Sequence, residues 1–207
     1  LNIKRFALTA IFISIILLFA FTPFGFINLV VIKATIIHIP VIIASIILGP
    51  RIGALQGFIF GLTSMIINTL SPSLLSFAFS PFVDLVDVGP ARFWALFIAF
   101  VPRIVLGILP YYLYQATKKL LSRSKLQQKP ALFATGLLST FAHTFLVMGS
   151  IAFFFHDAYA QAIGADGVGA VFKAILSVFF TNGLAESIVA AIIVTAVVPP
   201  LFKVVNR

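Results

Sequence analysis

Six long apolar runs, separated by short Pro-, Gly- or charge-bearing segments, dominate this chain. They cover residues 6–22, 35–49, 52–70, 94–117, 131–154 and 172–199. A helix that crosses a bilayer needs about 20 predominantly apolar residues. Only helices and closed barrels satisfy their own backbone in lipid, and the runs lack the ten-residue alternation of barrel strands. The expected fold is therefore all-α, a polytopic membrane protein of six transmembrane helices forming one membrane domain over residues 1–207. Composition agrees, with 61% hydrophobic and 9% charged residues against roughly 25% charged in a soluble domain. A cytosolic enzyme, a nucleic-acid-binding module and a secreted disulfide scaffold are excluded. The chain has no Cys, which removes disulfides, thiolate nucleophiles and cysteine metal sites. The run at 27–32 either lengthens the second helix or folds back as a capping loop. The first run reads as a span rather than a cleaved signal, since no A-x-A site follows it.

Charge orients the bundle. Lys4, Arg5, Arg51, Lys118, Lys119, Arg123, Lys125, Lys129, Lys203 and Arg207 fall on one side of a six-span arrangement, ten of the 14 basic residues. Asp84, Asp87, Asp157 and Asp166 fall on the other. Basic segments stay in the cytoplasm, so both termini are expected there, and the net charge of +9 sets topology rather than nucleic-acid binding. Segments 71–93 and 155–171 become long outer loops, either lids or solvated connectors.

Ionisable groups at membrane depth are costly and point to function. At about 1.5 Å per residue, Arg103, His143, Asn182 and Glu186 reach a shared middle band on three helices. Arg103 either pairs with Glu186 or contacts a ligand. His143 reads as a structural hydrogen-bonder or a ligand contact, and far less as a metal ligand, because no second His or carboxylate stands at helical spacing. Asn182 offers a donor and an acceptor without a charge to neutralise. Nearer the outside, Asn68 ends the third run, and Lys33, Arg92 and Trp94 stand at entrances. Lys33 and Arg92 either snorkel to water or receive an anionic group. Pro40 removes an amide donor and is expected to kink the second helix, with His38 bonding the freed backbone. Phe77, Phe79, Phe82, Phe93 and Phe97 form a candidate apolar lid. Small residues make two stripes. Gly49, Gly53, Gly57 and Gly61 suit close packing inside the bundle. Ala7, Ala10 and Ser14 suit either internal packing or docking of another protein.

Four local patterns recur in a definite order: Ile37-His38-Ile39-Pro40-Val41, Leu48-Gly49-Pro50-Arg51-Ile52-Gly53-Ala54, Gly57-Phe58-Ile59-Phe60-Gly61-Leu62 and Pro102-Arg103-Ile104-Val105-Leu106-Gly107. With six runs and a basic segment between the fourth and fifth, the whole chain resembles the substrate-binding S component of energy-coupling factor (ECF) vitamin transporters, in the riboflavin-transporter-like group. Ser76-Phe77-Ala78-Phe79-Ser80-Pro81-Phe82 is most similar to pantothenate-type members. The resemblance implies a subunit of a multi-pass bacterial plasma-membrane importer that captures a water-soluble vitamin from outside. Pantothenate is the favoured substrate, with riboflavin or a hydroxymethylpyrimidine next. It implies partnership with a transmembrane coupling subunit and two ATPases, and toppling in the membrane to release substrate. The pocket would be built by the fourth to sixth helices and loops 23–34 and 71–93. Family members often carry Ala-x-x-x-Ala on the first helix at the coupling-subunit contact, whereas here the pair is Ala10 and Ser14.

The residues themselves leave other classes open. A self-sufficient channel or ion-coupled carrier would use Arg103 and Glu186 as a charge relay. An intramembrane enzyme lacks support, since H-E-x-x-H, G-x-S-x-G and paired-Asp motifs are missing. No phosphate loop of the form G-x-x-x-x-G-K-[ST] occurs, so ATP hydrolysis is assigned to partners. No cofactor, metal or nucleic acid is expected, and membrane lipid surrounds the chain.

Overall fold

Apolar periodicity becomes helix along most of the chain. The computed structural model describes residues 3–29, 32–83, 91–121, 128–164 and 168–205. Helix α1 (Ile3–Phe21) leads through a 3-10 turn (Pro23–Gly25) into strands β1 (Phe26–Leu29) and β2 (Ile32–Thr35). Then come α2 (His38–Leu48), α3 (Pro50–Leu70), α4 (Ala91–Leu120), α5 (Gln128–Phe154), α6 (His156–Ile163), α7 (Val168–Val178) and α8 (Leu184–Val205). A π-helical turn, Phe179–Gly183, joins α7 to α8, so Gly169–Val205 runs as one long helix.

Among the described residues, five helices are long and apolar enough to cross a membrane: α1, α3, α4, α5 and the joined α7–α8. Their outer faces carry exposed Phe6, Ile11, Leu18, Phe58, Phe145 and Ile192, a surface suited to an apolar surrounding rather than to water. The second apolar run behaves differently. Its helix α2 has 11 residues, a rise of about 16 Å against a hydrocarbon thickness of about 30 Å. Residues ahead of it form an antiparallel hairpin, pairing Phe26 with Thr35 and Leu29 with Ile32. The Ile36 N–H closes the hairpin's base on the Gly25 carbonyl at 2.9 Å. The β-branched content of Ile27–Ile32 favours extended backbone, so this run caps rather than lengthens α2.

Gly49 turns the chain between α2 and α3. Its φ of +92° is a conformation that a Cβ disfavours, and Pro50 follows at the start of α3, where its missing N–H costs nothing. The glycine stripe then packs inside the bundle. A Cβ on Gly53 would strike the Gly107 carbonyl, one on Gly57 the Arg103 carbonyl, and one on Gly61 the Ala99 carbonyl. Helices α3 and α4 therefore lie backbone to backbone, antiparallel, over successive turns.

Contacts gather the basic helix ends at one end of the bundle. Arg5 Nη2 donates to the Leu48 carbonyl, Tyr111 lines a groove with Arg5 and Arg51, and Tyr114 stacks on Phe202. At the other end, the segment expected as a 155–171 loop holds α6, which Gly164 terminates in a left-handed conformation. Ala158 and Tyr159 of α6 are buried. Two apolar cores result. One joins α1, α2, α3, α4, α5 and α8 around Ile16, Ile42, Leu132 and Val194. The other joins α4, α5, α6 and α7 around Ile98, Met148, Ile151 and Val171.

Candidate functional site

Polar side chains occupy the layer between the two cores, and proline sets the first of them. Pro102 interrupts α4 and cannot donate to the carbonyl four residues back. That carbonyl belongs to Ile98, and Arg103 Nη1 donates to it instead. The guanidinium is thereby folded back along its own helix. Its Cζ lies 4.8 Å from the Phe79 ring centroid and 5.6 Å from that of Phe60, in cation–π range. Nη2 reaches Ser64 Oγ at 3.4 Å. Gly57, with no side chain, lets the Arg103 backbone approach α3 and fixes the depth of the charge.

Phe60 carries the layer across to α5. The His143 ring lies 6.0 Å from Phe60 and 6.4 Å from His38, nearly parallel to the latter at 18°. His38 opens α2, and Pro40 sits in that helix's first turn, where the missing donor is harmless. The Ile36 carbonyl accepts from Ile39 N–H. The expected kink and the His38 bond to freed backbone therefore do not form, and His38 Nε2 faces the interior without a partner among protein atoms. His143 Nε2, Arg103 Nε, both amide atoms of Gln56, and the hydroxyls of Ser45, Ser139 and Thr140 are likewise buried and unpartnered. Gln56 lies one turn before Phe60 on α3, and Ser139 one turn before His143 on α5. A buried polar group left unmatched costs about 1–3 kcal/mol. Two imidazoles beside a guanidinium suit a carboxylate, hydroxyl or amide better than a cation.

The other polar nest lies where α8 begins. Glu186 Oε1 accepts from Thr35 N–H at 2.8 Å and from Thr35 Oγ1 at 2.6 Å. Of the two readings of Arg103, the ion pair with Glu186 is not formed among the described residues, where each group bonds elsewhere. Asn182 sits in the π turn, half-buried, and its Oδ1 accepts from Thr181 Oγ1 at 3.4 Å. Beside it, a Cβ on Gly183 would touch Thr144, so the π turn reaches the depth of His143. β2 leans against this turn. The short stretch Thr35–His38 thus ties both nests together, bound to Glu186 at one end and facing His143 at the other.

The remaining expected residues are distributed around this layer. Asn68 donates to the Ser64 carbonyl and accepts from Ser76 Oγ, which fastens a 3-10 turn (Ser76–Ala78) to the end of α3. Trp94 stacks on Phe154 at 3.7 Å and meets Phe93 and Phe97 edge-on. Phe77 and Phe79 pack inward, on Phe155 and Arg103 respectively, whereas Phe82 and Phe93 are exposed and do not join a closed lid. Arg92 is exposed in the first turn of α4. The Lys33 side chain, Asp84 and Asp87 lie outside what the structure describes. Ala7, Ala10 and Ser14 form an exposed stripe on α1, and a groove of about 500 Å³ runs along Ala10, Ile11, Ser14 and Leu18.

Fold and interior together define a multi-pass helical membrane protein with a polar layer enclosed between apolar cores. The chain belongs to the family of ECF transporter substrate-specific components, whose family model matches residues 4–198. It is also similar to the pantothenic acid transporter PanT of Lactococcus lactis subsp. cremoris (strain MG1363). Identity is 39% over 204 residues, 97% of this chain and 95% of that relative.

Proposed function

We propose that this transporter component captures pantothenate from outside the cell and delivers it through a coupling subunit driven by two partner ATPases. The observation that carries this reading is the set of buried, unpartnered polar groups on α2, α3, α4 and α5, His38, Gln56, Arg103 and His143 among them. Pantothenate has a carboxylate, an amide and two hydroxyls around a dimethyl-bearing carbon, a match for scattered single hydrogen-bonding groups in an otherwise apolar enclosure. Asn182 and His143 bond its amide and hydroxyls, and Arg103 with its remaining donor draws the carboxylate. Glu186 holds the hairpin over the site, Asn68 holds the 71–83 segment, and Trp94 with Phe79 covers the dimethyl body. Lys33 and Arg92 attract the anion at the entrance.

The membrane arrangement in this reading has six crossings within one domain over residues 1–207. The hairpin and α2 together make the second, and both termini are cytoplasmic by the bias of basic residues. The exposed Ala7–Ala10–Ser14 stripe receives a helix of the coupling subunit. Titration calorimetry of the purified chain with pantothenate, riboflavin and hydroxymethylpyrimidine tests the assignment. Pantothenate alone is expected to bind, and tight binding of either other ligand in its place refutes it.

A further inference from the structure

The short helix α2 begins in the middle of the membrane layer. Its 11 residues rise about 16 Å, roughly half the hydrocarbon thickness, and its last residue, Leu48, is held at the basic end by Arg5. The first residue, His38, therefore stands near mid-depth, where a helix start carries partial positive charge. Among the described residues no side chain caps that start. We propose that His38 is a ligand contact and that it receives the carboxylate end of the substrate. This contact rests on the transport reading above and adds to it a residue and an orientation. The carboxylate lies against the start of α2, with the dimethyl body turned away from it.

Three observations select that occupant. First, His38 is 3% exposed and its Nε2 has no partner among the described residues, a cost that a ligand oxygen removes. Its ring lies 6.4 Å from that of His143 and nearly parallel to it, and His143 Nε2 is buried and unpartnered as well. Second, the buried Arg103 guanidinium donates to the Ile98 carbonyl and to Ser64 Oγ and meets no carboxylate among the described residues, since Glu186 bonds Thr35. A charge at this depth calls for an opposite one. The Phe60 ring, 5.6 Å from Arg103 Cζ and 6.0 Å from the His143 ring, keeps that cation beside the imidazoles. Third, the uncapped start of α2 favours an anion over a neutral group. The contact also reaches the hairpin. Thr35, three residues before His38, is clasped by Glu186, so a ligand bond at His38 pins the same segment from inside.

The test is titration calorimetry of the purified full chain with two probes, pantothenate and pantothenol, in which an alcohol replaces the carboxylate. His38→Phe keeps a ring against His143 and removes the nitrogens; His38→Leu makes the same deletion without the bulk if the first variant does not fold. The deletion should raise the dissociation constant about 10- to 150-fold for pantothenate, the range for a hydrogen bond to a charged group. For pantothenol the rise should be about two- to ten-fold, the neutral range. His38→Gln keeps a donor at similar reach and should restore most of the pantothenate affinity. Unchanged pantothenate affinity in a folded deletion variant overturns the contact. Equal loss for the two probes overturns the carboxylate assignment, and a loss in His38→Gln as large as in the deletion shows a packing role instead. A wild-type chain that binds neither probe overturns the transport reading, and this contact with it. In hydrogen exchange at saturating pantothenate, His38→Phe should lose protection of β2 that the wild-type chain gains; equal protection overturns the link to the hairpin.

Discussion

Thr35→Val removes one hydroxyl and keeps the shape of the side chain. In the native chain Glu186 receives two bonds from this residue, at 2.8 and 2.6 Å, and they are the side-chain clasp between the hairpin and α8. The substitution deletes the shorter bond and leaves the backbone one. A hydrogen bond to a charged acceptor contributes about 1.5–3 kcal/mol, so opening of the hairpin should become roughly 10- to 150-fold more favourable. If pantothenate leaves through the opened hairpin, its dissociation rate should rise by the same factor. Glu186→Gln keeps an acceptor oxygen but lowers each bond to the neutral range of about 0.5–1.5 kcal/mol, so it should give a smaller acceleration. Dissociation of radiolabelled pantothenate is followed by dilution and filtration. Hydrogen exchange of β2 is followed in parallel by mass spectrometry. Faster exchange with unchanged dissociation would show that the hairpin is not the exit, and no change in either would refute the clasp itself.

Asn182→Leu should raise the pantothenate dissociation constant several-fold to about a hundred-fold, the loss of one ligand hydrogen bond or a bond plus an unsatisfied group; unchanged affinity by calorimetry would move the pocket elsewhere. Replacing Ala10 and Ser14 together with Leu should leave binding near normal and abolish ATP-driven uptake by the full complex, and loss of binding would mean that the stripe serves this bundle's own packing. Gly57→Ala should lower the unfolding midpoint by several degrees, since its methyl meets the Arg103 carbonyl and overpacking costs about 1–3 kcal/mol. Gly149→Ala, where a Cβ meets nothing within 4 Å, is the matched control and should not. In this Cys-free chain, Lys119→Cys should react only with reagents that reach the cytoplasm and Asp157→Cys only from outside; labelling of both from one side would end the six-crossing arrangement.

The long helices were legible because apolar runs of spanning length admit few other structures in lipid. The hairpin was not, since Ile27–Ile32 is apolar apart from Asn28 and lacks the alternation that marks a half-exposed strand. The π turn left no signal beyond an Asn-Gly pair inside an apolar run. Arg103 was found by its charge. Its bond to Ile98 was readable in principle from Pro102, which orphans a carbonyl within the reach of the next side chain. Gln56 carried no charge to mark it, although an unpaired amide buried in the third run has a desolvation cost of its own. The Arg103–Glu186 pairing rested on depth alone, and depth does not say which way each side chain turns around its helix.

The glycine contact between α3 and α4 also limits how this protein can move. Two rods touching backbone to backbone at Gly53, Gly57 and Gly61 have no side-chain cushion to shear, so neither can slide or roll without collision. They form a stiff spar, and Arg103 is mounted on it. Any passage of a ligand across the bilayer must carry that spar as one piece, with deformation left to its lighter attachments, the hairpin and α1.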